Sequence, residues 1–399
     1  MREIVLMATK RIGSFLLHGL IFLLGAMNRV MPFEESNTKR TLLVVRTDAL
    51  GDSILFIPVL AELRNNYSNW WIVLVVQEWQ LPVMRSCPYA DEVIGIDIRK
   101  YRSSLLYALQ IVRKISRLKS DTCINGAYSR GLVADEIALW SKARNVVGWK
   151  GAWQDIHAVF KPLYDRMYSV RLDQELPPQM HELARHTMLL QSVGIAVDEL
   201  KPELWPAVHA ADKTESEMLK DNRGSVRAVV FVTGAKHLIR KWPFERFVEL
   251  AARVHDAHPE ILMYLVGNDR DLTDSAGGKS AGLPKGVADL RGKTSLPELV
   301  DLLRQASLVV GNDTGPMHLA IGLGIPTVCV LGGGHFGRFM PYGESAKHKV
   351  VINRLDCFQC NWNCTRSRPE CILDVSVDRV WEEVRGLLQN RVARSSSPS

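Results

Sequence analysis

Fully apolar runs alternate with helically spaced ones along most of the chain, and that alternation sets the first expectation of its fold. Thr41-Leu42-Leu43-Val44-Val45-Arg46 is apolar between its ends, the pattern of a strand buried on both faces of a parallel sheet. A helix from about Ile54 to Asn65, a strand from Trp71 to Val76 and an apolar stretch from Glu92 to Ile96 continue the order. Tyr101 to Leu118 is predicted as an amphipathic basic helix, with Arg102, Arg113, Lys114 and Arg117 among Leu and Ile and Lys119 just beyond. Such a helix is either a solvated face or a surface turned to a membrane. Trp149 to Pro178 is irregular and aromatic, His181 to Gly194 reads as a helix closed by glycine, and Pro202 and Pro206 mark a crossing.

Beyond the crossing the pattern restarts. A strand from Arg227 to Val232 is followed by a glycine turn, a helix from Phe244 to Ala257 and a strand from Ile261 to Gly267. Leu308 to Val310 then leads through a glycine loop into a short helix, Met317 to Leu323, and a strand, Thr327 to Leu331. Ser376 to Leu388 places Val377, Val380, Val384 and Leu387 at helical spacing, and 391–399 reads as a disordered tail. Strand-then-helix repetition predicts an α/β chain with parallel sheets. The expected organisation is an apolar segment and linker over 1–40, a first domain over 41–205, a second over 206–390, and the tail.

The apolar segment from Ile12 to Met27 follows Lys10 and Arg11 and is interrupted only by Ser14 and His18. A bilayer-spanning helix needs roughly 17–25 apolar residues, so this run is marginal for crossing. Ala26-Met27-Asn28 is a poor signal-peptide cleavage site. The preferred expectation is a helix lying on or dipping into the inner leaflet, with an ordinary packed helix as the alternative.

Composition narrows the partners. The 399 residues are 47% hydrophobic and 23% charged, ordinary for a globular chain, and long enough for two domains. The net charge of +7 favours an anionic partner. No zinc-finger spacing or RNP-like aromatic motif accompanies it, so phosphorylated sugars or anionic lipid are expected and nucleic acid is not. Cys87, Cys123 and Cys329 sit in apolar surroundings as reduced core thiols, consistent with the cytoplasm. Cys357, Cys360, Cys364 and Cys371 form a C-x2-C-x3-C-x6-C cluster whose spacing is not that of a paired zinc knuckle. A structural metal and plain thiols both remain open for it, and catalysis is expected to depend on neither.

Three segments carry chemistry. In Arg46-Thr47-Asp48-Ala49-Leu50-Gly51-Asp52, carboxylates stand at the carboxyl end of a strand, where open parallel sheets collect ligands. Asp52 suits either a general base for a sugar hydroxyl or a helix cap, and Asp48 suits a cap better. Thr233-Gly234-Ala235-Lys236 with Lys241-Trp242-Pro243 joins another strand end to lysines, with Arg240 and Arg246 nearby. A lysine here would neutralise a departing pyrophosphate, unless the segment is only an exposed basic loop. In Gly311-Asn312-Asp313-Thr314-Gly315-Pro316-Met317-His318, backbone amides at a helix N-terminus make an anion site. His318 either joins it or sits as a core histidine. Gly332-Gly333-Gly334 offers a second close backbone approach. The dinucleotide fingerprint G-x-G-x-x-G is absent after the first strand, which weakens a nicotinamide-dependent oxidoreductase.

Together these segments resemble glycosyltransferase family nine, the ADP-heptose:lipopolysaccharide heptosyltransferases. The resemblance rests on Arg46, Asp48, Gly51, Asp52, Pro58, Leu63 and Arg64; on Pro88, Asp91, Val93 and Ile94; and on His181, Arg185, Leu189, Leu190 and Gly194. It continues through Gly234, Lys241, Trp242, Pro243, Glu245 and Phe247, the block Gly311 to Pro326, and Pro341-Tyr342-Gly343. It implies a GT-B fold of two Rossmann-like domains facing a cleft, and an inverting transfer that uses no catalytic metal or cofactor. Asp52 would be the general base and Lys241 would assist the leaving group. Thr233, Gly234, Lys241, Asp313, Thr314, Gly315 and His318 would hold an ADP-sugar, with Arg46, Asp48 and Gly51 on the acceptor side. The implied donor is ADP-heptose and the acceptor a lipopolysaccharide core or related glycan; the expected place, cytoplasmic and peripheral on the inner membrane, rests on the apolar segment from Ile12 to Met27, an addition to the family pattern. Gly332-Gly333-Gly334-His335 departs from the family's usual Gly-Pro-Thr turn. A non-catalytic nucleotide-sugar binder is the remaining rival.

Overall fold

The computed structural model describes residues 2–30, 39–151, 153–154, 159–174, 176–205, 228–268 and 282–395. The chain divides into two compact units: residues 1–49, 58–175 and 183–200 form one, and 50–57, 176–182 and 201–399 form the other. The expected start of the second domain, within 206–227, lies outside the described residues.

In chain order the elements up to the second sheet are α1 (Arg2–Val30), β1 (Thr41–Arg46), α2 (Leu50–Leu55), α3 (Ile57–Asn66), β2 (Trp71–Gln77), α4 (Leu81–Met84) and β3 (Glu92–Ile96). Then come α5 (Ile98–Ser103), α6 (Leu105–Arg117), β4 (Thr122–Asn125), β5 (Arg130–Gly131), α7 (Leu132–Trp140), β6 (Asn145–Trp149) and β7 (Trp153–Gln154). α8 (Lys161–Asp165), β8 (Val170–Leu172) and α9 (Glu182–Ser192) follow. The first unit's parallel sheet runs β3-β2-β1-β4-β6-β8, with β5 and β7 as a separate pair. All six residues of β1 are buried, as its unbroken apolar run requires.

The second part of the chain gives β9 (Ala228–Val232), α10 (Phe244–Ala257), β10 (Leu262–Val266), β11 (Val287–Asp289), α11 (Leu296–Gln305) and β12 (Ala306–Asn312). It ends with α12 (Gly315–Gly322), β13 (Thr327–Val330), β14 (His348–Val351), α13 (Glu370–Leu373) and α14 (Val377–Ser395). Its sheet repeats the order of the first, β11-β10-β9-β12-β13-β14. In both sheets the chain works outward from one strand and then returns to that strand's other side. Each unit therefore has a topological switch point, between β1 and β4 and between β9 and β12.

Several elements depart from the sequence pattern, each for a local reason. The single helix expected over Ile54 to Asn65 is two, α2 and α3, because Pro58 donates no hydrogen bond to the preceding turn. The basic helix expected from Tyr101 to Leu118 breaks at Ser104. That residue is extended (φ −128°, ψ 111°), and its side chain caps α6 by accepting from the Tyr107 amide. The irregular stretch after Trp149 contains α8 and the edge strand β8. The C-terminal helix continues to Ser395, into the stretch expected to be disordered.

α1 is built into the first unit. His18 Nδ1 lies 2.8 Å from Glu136 Oε1, both side chains fully buried, and the Tyr164 hydroxyl donates to the same oxygen. Burial pushes the Glu136 carboxyl up, and the His18 hydrogen bond opposes that shift. Ile21 belongs to the core with Val133, Ile137 and Tyr101, and the Trp140 indole donates to the Ile21 carbonyl at 3.3 Å. A Cβ on Gly25 would stand 2.6 Å from Leu139 and 2.9 Å from Trp140, so only glycine lets the two helices approach this closely. The packed-helix alternative thus describes this face of α1, and among the described residues no helix is long and apolar enough to cross a membrane.

Ile21→Ala is expected to lower unfolding free energy by about 2–4 kcal/mol, read as a reduced urea midpoint, because it empties a core position. An unchanged midpoint would mean that α1 does not pack on α7.

Candidate functional site

The switch point of the second unit collects two of the three segments singled out from the sequence, those after β9 and β12. β9 ends at Val232 and runs into Thr233-Gly234; β12 lies beside it in parallel register, Gly311 opposite Val232, and runs into Asp313-Thr314. A Cβ on Gly311 would fall 2.5 Å from Val232, so glycine at this register position lets the strands close up.

Asn312, fully buried, ties the surrounding loops together. Its amide nitrogen donates to the Thr233 carbonyl at 2.9 Å and to the Gly234 carbonyl at 3.4 Å, while its oxygen accepts from the Trp242 amide at 2.9 Å. One side chain therefore fixes the turn after β9 and the segment before α10 against the end of β12. Trp242, itself buried, donates its indole N–H to the Val375 carbonyl and packs edge-on against Phe247. Lys241 is held in the chain between this anchored Trp242 and Arg240. The two lysines of the motif separate here, Lys241 being 9% exposed and Lys236 lying on the surface. Lys241 lines an open pocket of about 320 Å³ with Ile239, Pro243 and Leu373.

Asp313 sits at the centre of a second cluster. Arg240 Nη2 is 3.0 Å from one carboxylate oxygen and His318 Nε2 is 3.3 Å from the other. Burial alone would push the Asp313 carboxyl up, but the His318 hydrogen bond and the Arg240 charge overrule it and hold it below its ordinary value. His318 Nδ1 meets the Tyr342 hydroxyl at 2.8 Å, with the two rings stacked 5.6 Å apart. Burial, and then the Asp313 charge, push the Tyr342 phenol well up, so it stays protonated. His318 is thus both buried and part of the cluster, which joins the two possibilities left open for it. Arg246 stands apart, donating to the Leu373 and Val375 carbonyls.

α12 begins with Thr314 extended at its N-cap and Pro316 in the first turn. The Thr314 hydroxyl donates to the Asn312 carbonyl at 3.3 Å, which turns the threonine toward its own loop. The segment 50–57 belongs to the same unit and lays α2 on α12. A Cβ on Gly51 would stand 2.7 Å from the His318 ring, and one on Gly315 3.0 Å from Leu50, so these two glycines serve helix contact. Asp52 lies in the first turn of α2, half-buried. In the first unit, Arg46 pairs with Asp48 at 2.8 Å and donates to the Gly126 carbonyl, while Gln77 and Gln80 donate to the Asp48 carbonyl. These bonds give Asp48 a structural role at the end of β1.

The Gly332-Gly333-Gly334 turn does not present its backbone as an open approach. A Cβ on Gly333 would meet the Phe358 ring at 2.4 Å, and one on Gly334 the Trp362 ring at the same distance. Trp362 also lies under the Arg240 guanidinium, 5.1 Å away. The four clustered cysteines line one cavity with these aromatics, and among the described residues no three His, Cys, Asp or Glu side chains are arranged to hold a metal ion. Arg240, Tyr342 and Trp362 are the site residues to which sequence reasoning assigned no role. Tyr342 had a signal in Pro341-Tyr342-Gly343, Arg240 only its charge, and Trp362 none.

The family model for Glycosyltransferase family 9 (heptosyltransferase) matches residues 137–365. The chain is 23% identical over 359 residues to lipopolysaccharide heptosyltransferase 2 of Escherichia coli (strain K12), covering 87% of this chain and 98% of that protein. Its fold is similar to that of a glycosyl transferase family 9 structure from Veillonella parvula DSM 2008, with a TM-score of 0.71 at 20% identity over 90% of this chain and 100% of that one. It is also similar to E. coli heptosyltransferase WaaC with ADP-2-deoxy-2-fluoro heptose, with a TM-score of 0.58 at 20% identity over 86% and 99% of the two chains. The two Rossmann-like units are those of a GT-B glycosyltransferase.

Asn312→Ala is expected to cost about 2–4 kcal/mol of unfolding free energy, because the Trp242 amide and the Thr233 carbonyl lose a buried partner. A urea midpoint equal to wild type would show that the three segments hold together without it. The Asp313 carboxyl titrates below its ordinary value, so its contribution to stability is complete above the unfolded pKa of about 3.9 and is lost as pH falls through the folded value. Asp313→Asn should therefore flatten the acid-side fall in thermal midpoint below about pH 4; an unaltered slope would contradict the assignment.

Proposed function

From a chain that belongs to glycosyltransferase family 9, the heptosyltransferase family, we propose an enzyme that moves a heptose from ADP-heptose to a hydroxyl of a lipopolysaccharide core or related glycan. The protein is a glycosyltransferase, and the observation that carries the finer reading is the Asn312 bracket. It sets Thr233-Gly234, Lys241 and the N-terminus of α12 around one switch point. A nucleotide diphosphate suits that place, where amides at a helix start and a sheltered ammonium converge. The solved WaaC structure was obtained with an ADP-heptose analogue, which supports the choice of donor. Membership of this family leaves no ground for a nicotinamide-dependent oxidoreductase.

The proposed step inverts the anomeric carbon. Asp52 accepts the acceptor's hydroxyl proton while that oxygen bonds to the anomeric carbon from the face opposite ADP. The anomeric C–O bond breaks, and its electron pair leaves on the diphosphate, where Lys241 and the α12 amides stabilise the developing charge. The Asp313, Arg240 and His318 cluster keeps the loop between β12 and α12 in place. No metal ion takes part in the step, and the enzyme works at the cytoplasmic face of the inner membrane, where lipid-linked acceptors are presented.

ADP release from ADP-heptose, measured with and without a lipopolysaccharide core acceptor, tests the assignment. Acceptor-dependent release is expected, unchanged by EDTA; none from a folded protein would refute the transferase and leave a nucleotide-sugar binder. Asp52→Asn should lower kcat by about 10²–10⁴-fold and Lys241→Ala by about 10²–10³-fold. Full activity in Asp52→Asn would remove it as the base.

A further inference from the structure

α1 shows an unusual outward face. His18, Ile21 and Gly25 point into the first unit, and the buried His18 to Glu136 contact fixes the helix's rotation about its axis. With that rotation set, the outward positions are Leu16, Leu20, Leu23 and Met27, of which Leu16, Leu23 and Met27 are 65%, 61% and 64% exposed. They recur at spacings of three and four, so they form one continuous stripe. A globular surface helix places polar side chains there. Among its described side chains this one has none at those outward positions, and from Gly13 to Arg29 it has no acidic residue. The apolar surface continues beside it, since the Phe160 ring packs on Phe15 and Phe22 and the neighbouring Val159 is exposed.

Cations flank the same helix. Asn28 of α1 donates to the Ser116 hydroxyl of α6, which brings that face of α6 alongside α1. Arg113, one turn before Ser116, and Arg117, next to it, are both exposed. We infer that this stripe, with Arg113 and Arg117 at its border, is a docking face for an anionic phospholipid bilayer, holding the first unit on the membrane with α1 in the interfacial plane. The inference rests on the reading that the acceptor is presented at a membrane. The charge pattern selects the occupant. A bilayer with anionic headgroups complements an apolar strip edged by guanidinium groups, whereas a two-fold pairing of the same face would bring its own cations together. The helix acts as a rigid part of the domain surface, so binding also fixes the orientation of the first unit.

Co-sedimentation of the full chain with vesicles of phosphatidylethanolamine and phosphatidylglycerol, about three to one, tests this directly. Wild type is expected to sediment with the vesicles and to be released by high salt. Leu20→Glu/Leu23→Glu and Arg113→Glu/Arg117→Glu should each weaken binding by about tenfold or more. Their thermal midpoints, and their ADP release with a delipidated core acceptor, should match wild type. Variants that sediment like wild type would overturn the inference, as would a wild type that stays in the supernatant. A stripe variant that instead converts a dimer to a monomer in sedimentation velocity would assign the face to a second copy and overturn it too. Loss of ADP release in every protein, with vesicle binding intact, would refute the transferase reading and leave the docking face standing.

Discussion

The second unit's site depends on one side-chain amide. Asn312 is fully buried, and both ends of its amide are used, donating to the carbonyls after β9 and accepting from the amide of Trp242. Away from water such bonds are worth more than at a surface, and a partner left alone is costly. The loop after β9, the approach to α10 and the start of α12 are separated by many residues in sequence and share this fastening, with the Arg240 to Asp313 pair beside it. A shorter polar side chain could serve one loop but not both sides. Asparagine does so because it carries donor and acceptor on one rigid plane.

Much of the fold was legible because buried parallel strands announce themselves as unbroken apolar runs. β1, β2, β3, β9, β10 and β13 fall where those runs lie. Other elements carry weaker signals. Ser295 and Glu298 form a reciprocal capping box, bonded at 3.4 and 2.7 Å, and open α11, whose start is marked by this cap more than by apolar runs. The helix α7 is buried on all sides and so lacks the one-sided period that identifies a surface helix. Its Asp135 and Glu136 are buried because, besides the nearby Arg130, Tyr168, His18 and Tyr164 meet them from far along the chain. Local pattern carries no trace of such long-range partners.

At the candidate site, the sequence shows which segments carry polar and charged groups, and the fold decides how each side chain is placed. Lys236 and Lys241 are equivalent as letters and differ only once Trp242 is anchored. The glycines likewise depend on the fold. Gly51 and Gly315 stand in the acceptor-side and donor-side motifs, and their missing Cβ atoms make room for His318 and Leu50. The triple glycine at 332–334 is filled by Phe358 and Trp362 in the same way. A glycine in a motif says that something comes close; whether that is ligand or protein depends on residues that fold in from far along the chain.

The inward face of α1 also decides where this protein can be cut. Removing an apolar N-terminal helix is the usual way to obtain a tractable form of a membrane-associated enzyme. Here it would strip one wall from the first unit. Glu136, Tyr101 and Tyr164 are buried together with His18, and that cluster would open to solvent together with the surface of α7. A shortened chain would trade one greasy surface for a larger one, and its poor behaviour in solution would be easily mistaken for evidence of a lost anchor.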